Sequence, residues 1–174
     1  MSSLRITKIQ QLMLNQENHD KEYHRDIYER LMPDKAKHYT LHFTKYFTKY
    51  CNIMWTETDD VIIIEKQKQI MIDTMLISLS FANSLSVVVD DIDILNGFKS
   101  DALIHVEYAN TLQKLAKALD SLDHIERFPI REKLDEVPPE LIKIVATFIY
   151  QNNIKDFEHE MMKRYQMVRD KRLM

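Results

Sequence analysis

Apolar side chains recur every third or fourth residue along most of this chain, the period of helices that turn one face inward. Ile6, Ile9, Leu12 and Met13 form such an edge, which Tyr23, Ile27 and Leu31 resume, predicting a first helix over residues 4–31. Its polar middle, residues 15–22, reads as a kink or a turn that lines a site. Pro33 and Asp34 open a second helix, with Asp34 as N-cap and an inward stripe of Tyr39, Phe43, Tyr46 or Phe47, Tyr50 and Met54. After a polar loop at 56–60, a third helix starts within 61–65 and runs to about residue 86. Its β-branched start resembles a strand, but a lone strand would have no partner. Apolar residues wrap most of its circumference, as in a helix packed on several sides. Residues 90–97 connect to a fourth helix capped by Ser100, with the stripe Tyr108, Leu112, Leu115, Leu119 and Leu122. Pro129 and the Pro138-Pro139 pair predict irregular chain over 123–139, with one short helix near 132–136. A last helix begins at Glu140 and turns Leu141, Val145 and Phe148 inward; Asn152-Asn153 kinks it before a highly charged end that frays or forms an interface. The expectation is an all-α bundle of four to five antiparallel helices.

Composition narrows this further. One glycine and four prolines are too few turn formers for a sheet protein. A length of 174 residues suits a single domain with a substantial core, and the ten methionines read as filler between helices. A net charge of −3 argues against a dedicated nucleic-acid binder. Cys51 stands alone, so no intrachain disulfide forms, and a buried thiol is its default. No stretch at the N-terminus resembles a signal peptide. The longest uncharged run, residues 74–89, is 16 residues, short of the roughly 20 a membrane span needs. These features predict a cytoplasmic protein with no membrane association.

Candidate chemistry concentrates in residues 35–56, which carry four lysines, two histidines and no carboxylate. His38, His42, Lys45 and Lys49 fall at intervals of four, three and four on one side of the second helix. Such a stripe is either a solvated basic face or a receptor for phosphate oxygens, to which lysine and protonated histidine offer charge-assisted hydrogen bonds. Internal pairing is a third option, with Lys45 satisfying Asp73 on the next helix. His38 and His42, with Asp34 a turn earlier, have zinc-pair spacing but lack an HExxH context. Glu65 and Asp73, with Gln69 between and Glu107 approaching, are substitute acids for one metal ion. Asp90, Asp91 and Asp93 lack the glycine and distal glutamate of an EF-hand and read as helix-end solvation. His105, His124 and His159 are scattered.

The segment IDTMLISLSFAN and the helix before it resemble the all-α nucleoside-triphosphate pyrophosphatases, the MazG-like and dimeric dUTPase-like superfamily, over residues 6–86. Residues 100–174 are additional helices. Members of that superfamily aim an E-x-x-E and an E-x-x-D motif at a common point, where residues three apart share a helix face and hold magnesium. By this resemblance Asp73 stands at the final Asp, Ile70 at its partner Glu, and His42 and Lys45 at the E-x-x-E positions. Three of four ligand positions therefore hold groups that repel magnesium or offer it no oxygen. The run LMLNQENHD resembles the N-terminal helix of dimeric dUTPases, which implies Gln16 and Asp20 as base-reading residues, and Trp55 resembles an aromatic that follows the first carboxylate helix. The glycine-rich tyrosine segment of dimeric dUTPases has no counterpart.

The resemblance implies a homodimer and a degenerate, non-hydrolytic protein that senses nucleotides or binds a protein partner, with no cofactor. The substrate-binding set is Gln16, Asp20, His42, Lys45 and Asp73, with no catalytic residue and no metal ligand. An alternative is an active pyrophosphohydrolase that cleaves dUTP or another triphosphate with magnesium on Asp73. A second alternative is a helical regulatory or assembly protein with no nucleotide ligand.

Overall fold

The computed structural model describes residues 9–89, 102–124 and 126–172. They form seven helices and no strand: α1 (Ile9–Tyr23), α2 (Arg25–Tyr28), α3 (Met32–Thr56), α4 (Asp60–Leu85), α5 (Ile104–Asp123), α6 (Ile130–Gln151) and α7 (Phe157–Arg172). The all-α expectation holds, while four to five helices become seven because the first and last predicted helices each break in two.

The centre of the bundle is α4, which packs against α1, α3, α6 and α7. Its wrapped apolar pattern explains this: Met71, Ile72, Leu79, Phe81 and Ala82 are fully buried on different sides. Asp59 caps it by accepting from the backbone N–H groups of Val61 and Ile62, which satisfies two of the donors a helix start leaves open. Ser86 closes the other end in left-handed conformation (φ 55°), with the Val87 amide donating to Ala82 O. The buried hydroxyls of Thr74 and Ser78 are satisfied within this helix, since each donates to the carbonyl four residues back.

Helix α3 follows its predicted stripe: Ala36, Tyr39, Phe43, Tyr46 and Tyr50 are buried, and Tyr39 and Phe43 pack against Phe81 of α4. Met54, placed in the stripe by sequence, is exposed. Asp34 is not the N-cap. Leu31 takes that place without a side-chain bond, and Asp34 sits in the first turn, where its charge complements the helix dipole. The first predicted helix breaks at His24 (φ −129°, ψ 37°), beyond the polar stretch 15–22. That stretch stays helical because Gln16 and Asp20 turn inward and hydrogen-bond each other.

The largest departure is α6, which begins at Ile130 and runs through both Pro138 and Pro139. Each proline removes an N–H and crowds the carbonyl four residues back, a cost of about 3 kcal/mol in a helix interior. Leu134, Val137, Leu141, Ile142 and Val145 are fully buried along this helix, and each such side chain returns about 1.5–3 kcal/mol. Burial outweighs propensity. Ser100 and Asp90, Asp91 and Asp93 lie outside the described residues; α5 is described from Ile104, preceded by Leu103 as cap.

Asn153, in left-handed conformation (φ 50°), ends α6, and the Ile154 amide donates to Ile149 O. The charged segment beyond it neither frays nor points away. It forms α7, whose buried Phe157, Met161 and Tyr165 dock the helix on α4 and α1. No described helix is long and apolar enough to cross a membrane.

Candidate functional site

The docking of α7 closes one side of a cavity of about 400 Å³ bounded by α1, α2, α3, α4 and α7. All five anticipated binding residues line it: Gln16 and Asp20 from α1, His42 and Lys45 from α3, and Asp73 from α4. Three helices therefore bring together residues that are up to 57 positions apart in sequence, from Gln16 to Asp73.

On the α3 wall, Lys45 Nζ lies 3.2 Å from His42 Nδ1, and Tyr46 Oη lies 3.3 Å from the same nitrogen. An ammonium can only donate, so His42 accepts through Nδ1 and carries its proton on Nε2. Burial, reinforced by Lys45, lowers the His42 pKa to about 4. Burial and Arg30 likewise lower that of His38. These imidazoles are therefore neutral at neutral pH, which corrects the expectation of protonated histidines. Positive charge on the wall belongs to Lys45, whose ammonium also sits 4.8 Å from the Tyr46 ring centre. Desolvation and then the neighbouring Lys49 lower the Lys45 pKa.

Asp73 does pair with a cation, but not with Lys45. Arg164 of α7 donates from Nε to Oδ1 (2.7 Å) and from Nη2 to Oδ2 (3.3 Å). This fork on a carboxylate is the geometry to which guanidinium is suited. The guanidinium thus occupies the oxygens that a magnesium ion would need. Neither do the substitute acids gather there. Glu65 is ion-paired with Lys68, which also reaches Asp156, and Glu107 lines a separate groove between α5 and α6. Ile70 is buried, and Trp55 is 82 % exposed on the far part of α3, away from the cavity lining. His38 and His42 are neighbours, with ring centres 4.6 Å apart, but Asp34 does not join them in a metal-ligating group.

At the α1 end, Gln16 is fixed at both ends of its amide. Its Nε2 donates to Asp20 Oδ1 (2.8 Å) and its Oε1 accepts from Tyr165 Oη (2.8 Å). One amide hydrogen remains for a ligand. Next to this pair, His19, Asp20 and His24 bring one ligand-type atom each within 4.8 Å of one another. The His19 ring packs against Tyr23, His24 and Tyr165.

Sequence reasoning missed four residues here: His19, His24, Arg164 and Tyr165. The first two carry a local signal, the HDxxxH spacing at the end of α1. Arg164 and Tyr165 carry none, since 91 and 149 residues separate them from their partners Asp73 and Gln16. Cys51, expected to be buried, is only partly so, and burial raises its thiol pKa.

A second, larger groove of about 660 Å³ runs between α5 and α6. In it Glu140 accepts from Lys114 and from Thr111 Oγ1. The groove holds none of the five anticipated binding residues, and of the substitute acids only Glu107. Fold and site together define an all-α helical bundle with a half-enclosed cavity that carries cations on α3 and α7. No protein-family model, curated protein or solved structure matches the chain.

Proposed function

We propose that the protein is a degenerate, non-hydrolytic member of the MazG-like and dimeric dUTPase-like superfamily that binds a nucleotide in this cavity, as a sensing or protein-interaction module. The observation that carries the reading is the state of Asp73. It is the one metal-site carboxylate the resemblance retains, and both of its oxygens are engaged by Arg164 within the cavity that also holds Gln16, Asp20, His42 and Lys45. A guanidinium and an ammonium offer direct charge-assisted bonds to phosphate oxygens and generate no hydroxide. The neutral His42 adds an Nε2–H donor. A volume of about 400 Å³ lies within the usual range of small-ligand sites, about 300–1,000 Å³.

The test is a melting-temperature screen with nucleoside mono-, di- and triphosphates, with and without magnesium. Nucleotide is expected to raise the melting temperature in chelator, because only the native state binds it. Lys45→Ala should reduce affinity by on the order of 10-fold or more, the loss of one charge-assisted hydrogen bond of about 1.5–3 kcal/mol. Pyrophosphate release with magnesium that Asp73→Ala abolishes would instead identify an active hydrolase. A chain that ignores every nucleotide and co-purifies with a protein would identify an assembly factor.

A further inference from the structure

We propose that His19, Asp20 and His24 bind one divalent transition-metal ion of the zinc type, at the corner of the cavity where α1 ends and α2 begins.

Geometry comes first. The three ligand atoms lie within 4.8 Å of one another. Zinc bonds of about 2.0–2.2 Å in a tetrahedral site put ligand atoms roughly 3.3–3.5 Å apart, so small side-chain adjustments close the site. The backbone favours the cluster: Asp20 and His24 are four apart, and the His24 amide donates to Asp20 O (2.9 Å) as α1 ends.

The second observation is independent of spacing. The His19 side chain is only 9 % exposed, and both of its ring nitrogens are buried without a hydrogen-bond partner. The Asp20 carboxylate lies 3.9 Å from Nδ1, beyond hydrogen-bond reach. A buried imidazole normally satisfies at least one nitrogen, and leaving a group open costs about 1–3 kcal/mol. A metal ion held against Asp20 and His24 supplies the partner that the protein does not.

The surroundings complete the case. A carboxylate ligand is usually oriented by an outer hydrogen bond. Here Gln16 Nε2 holds Asp20 Oδ1, and Tyr165 Oη holds Gln16 in turn. Two imidazoles and one carboxylate select zinc, cobalt or nickel over magnesium and calcium, which take oxygen shells. Three protein ligands leave a fourth tetrahedral position for water or a ligand oxygen. The ion would be held whether or not a nucleotide enters.

The experiment uses full-length, chelator-stripped protein titrated with Co²⁺ and Zn²⁺ without nucleotide. Visible absorption of tetrahedral Co²⁺ is expected to saturate at one equivalent per chain and to be displaced by Zn²⁺. His24→Gln and His19→Gln should each weaken binding on the order of 100-fold, and Gln16→Leu about 10-fold, as for the loss of an outer-shell partner. His159→Gln, on the exposed part of α7, should bind as the parent does. Because His19 is buried, His24→Gln is the deciding variant, with circular dichroism confirming its fold. Absence of the cobalt spectrum, or a spectrum that survives in the folded His24→Gln variant, overturns the site. Nucleotide binding is read separately, in chelator, so either proposal can fail alone.

Discussion

His42 shows how much a single side chain gains its chemistry from position. In an unfolded chain an imidazole titrates near about 6.5. In the cavity wall, burial and the Lys45 ammonium bring it down to about 4. The folded protein therefore binds fewer protons than the unfolded chain between those two values, and stability must rise with pH across that window. The contribution is complete above about pH 6.5 and is lost as acidity approaches the folded pKa of about 4. Denaturant midpoints measured across this range in chelator should fall toward acid, and His42→Gln should flatten the fall. An unchanged slope in that variant would place the proton elsewhere. His38 and His24 face the same ring and remain in both proteins, so the difference isolates His42.

Individual elements record a contest between local preference and burial. Sequence periodicity placed α3, α4 and α5 well, because their apolar patterns act locally, although it did not single out Asp59 as the cap of α4. It failed at α6, where two prolines are a strong local stop signal. The failure is instructive: side chains from Leu134 to Ile149 face the core closely enough to hold the chain helical across the break. Pro139 is the less buried of the two, and restoring an N–H there allows a bond to the Asp135 carbonyl. Pro139→Ala should accordingly stabilise the fold by about 1 kcal/mol or more, read as a higher melting temperature. A lower one would mean that the core requires a bend set by the proline.

At the scale of the molecule, α7 decides what the cavity is. It supplies Arg164 to Asp73 and Tyr165 to Gln16, and its apolar face closes the space between α1 and α4. The opposite end of the α3–α4 hairpin leaves Trp55, Val61 and Ile62 exposed within a short stretch of chain. We propose that a second copy of the chain covers this end, because three large apolar side chains are exposed there together. Light scattering should give twice the chain mass, and Trp55→Asp should shift it toward one. A parent protein that is monomeric at high concentration would refute the pairing.

Period and composition by themselves determined the helical class, the core stripes of α3 and α5 and the all-round apolar pattern of α4, while the five cavity residues on α1, α3 and α4 were chosen by resemblance of short local motifs. Those signals act between residues a few positions apart, where the helix repeat alone sets which side chains share a face. Only the tertiary structure decided the continuity of α6, the fate of the charged C-terminal segment, and the partner of Asp73. Each depends on contacts between residues far apart in the chain, and no spacing rule says which distant cation reaches a given carboxylate. Lys45 was the nearer choice in sequence; the packing of α7 gave that place to Arg164.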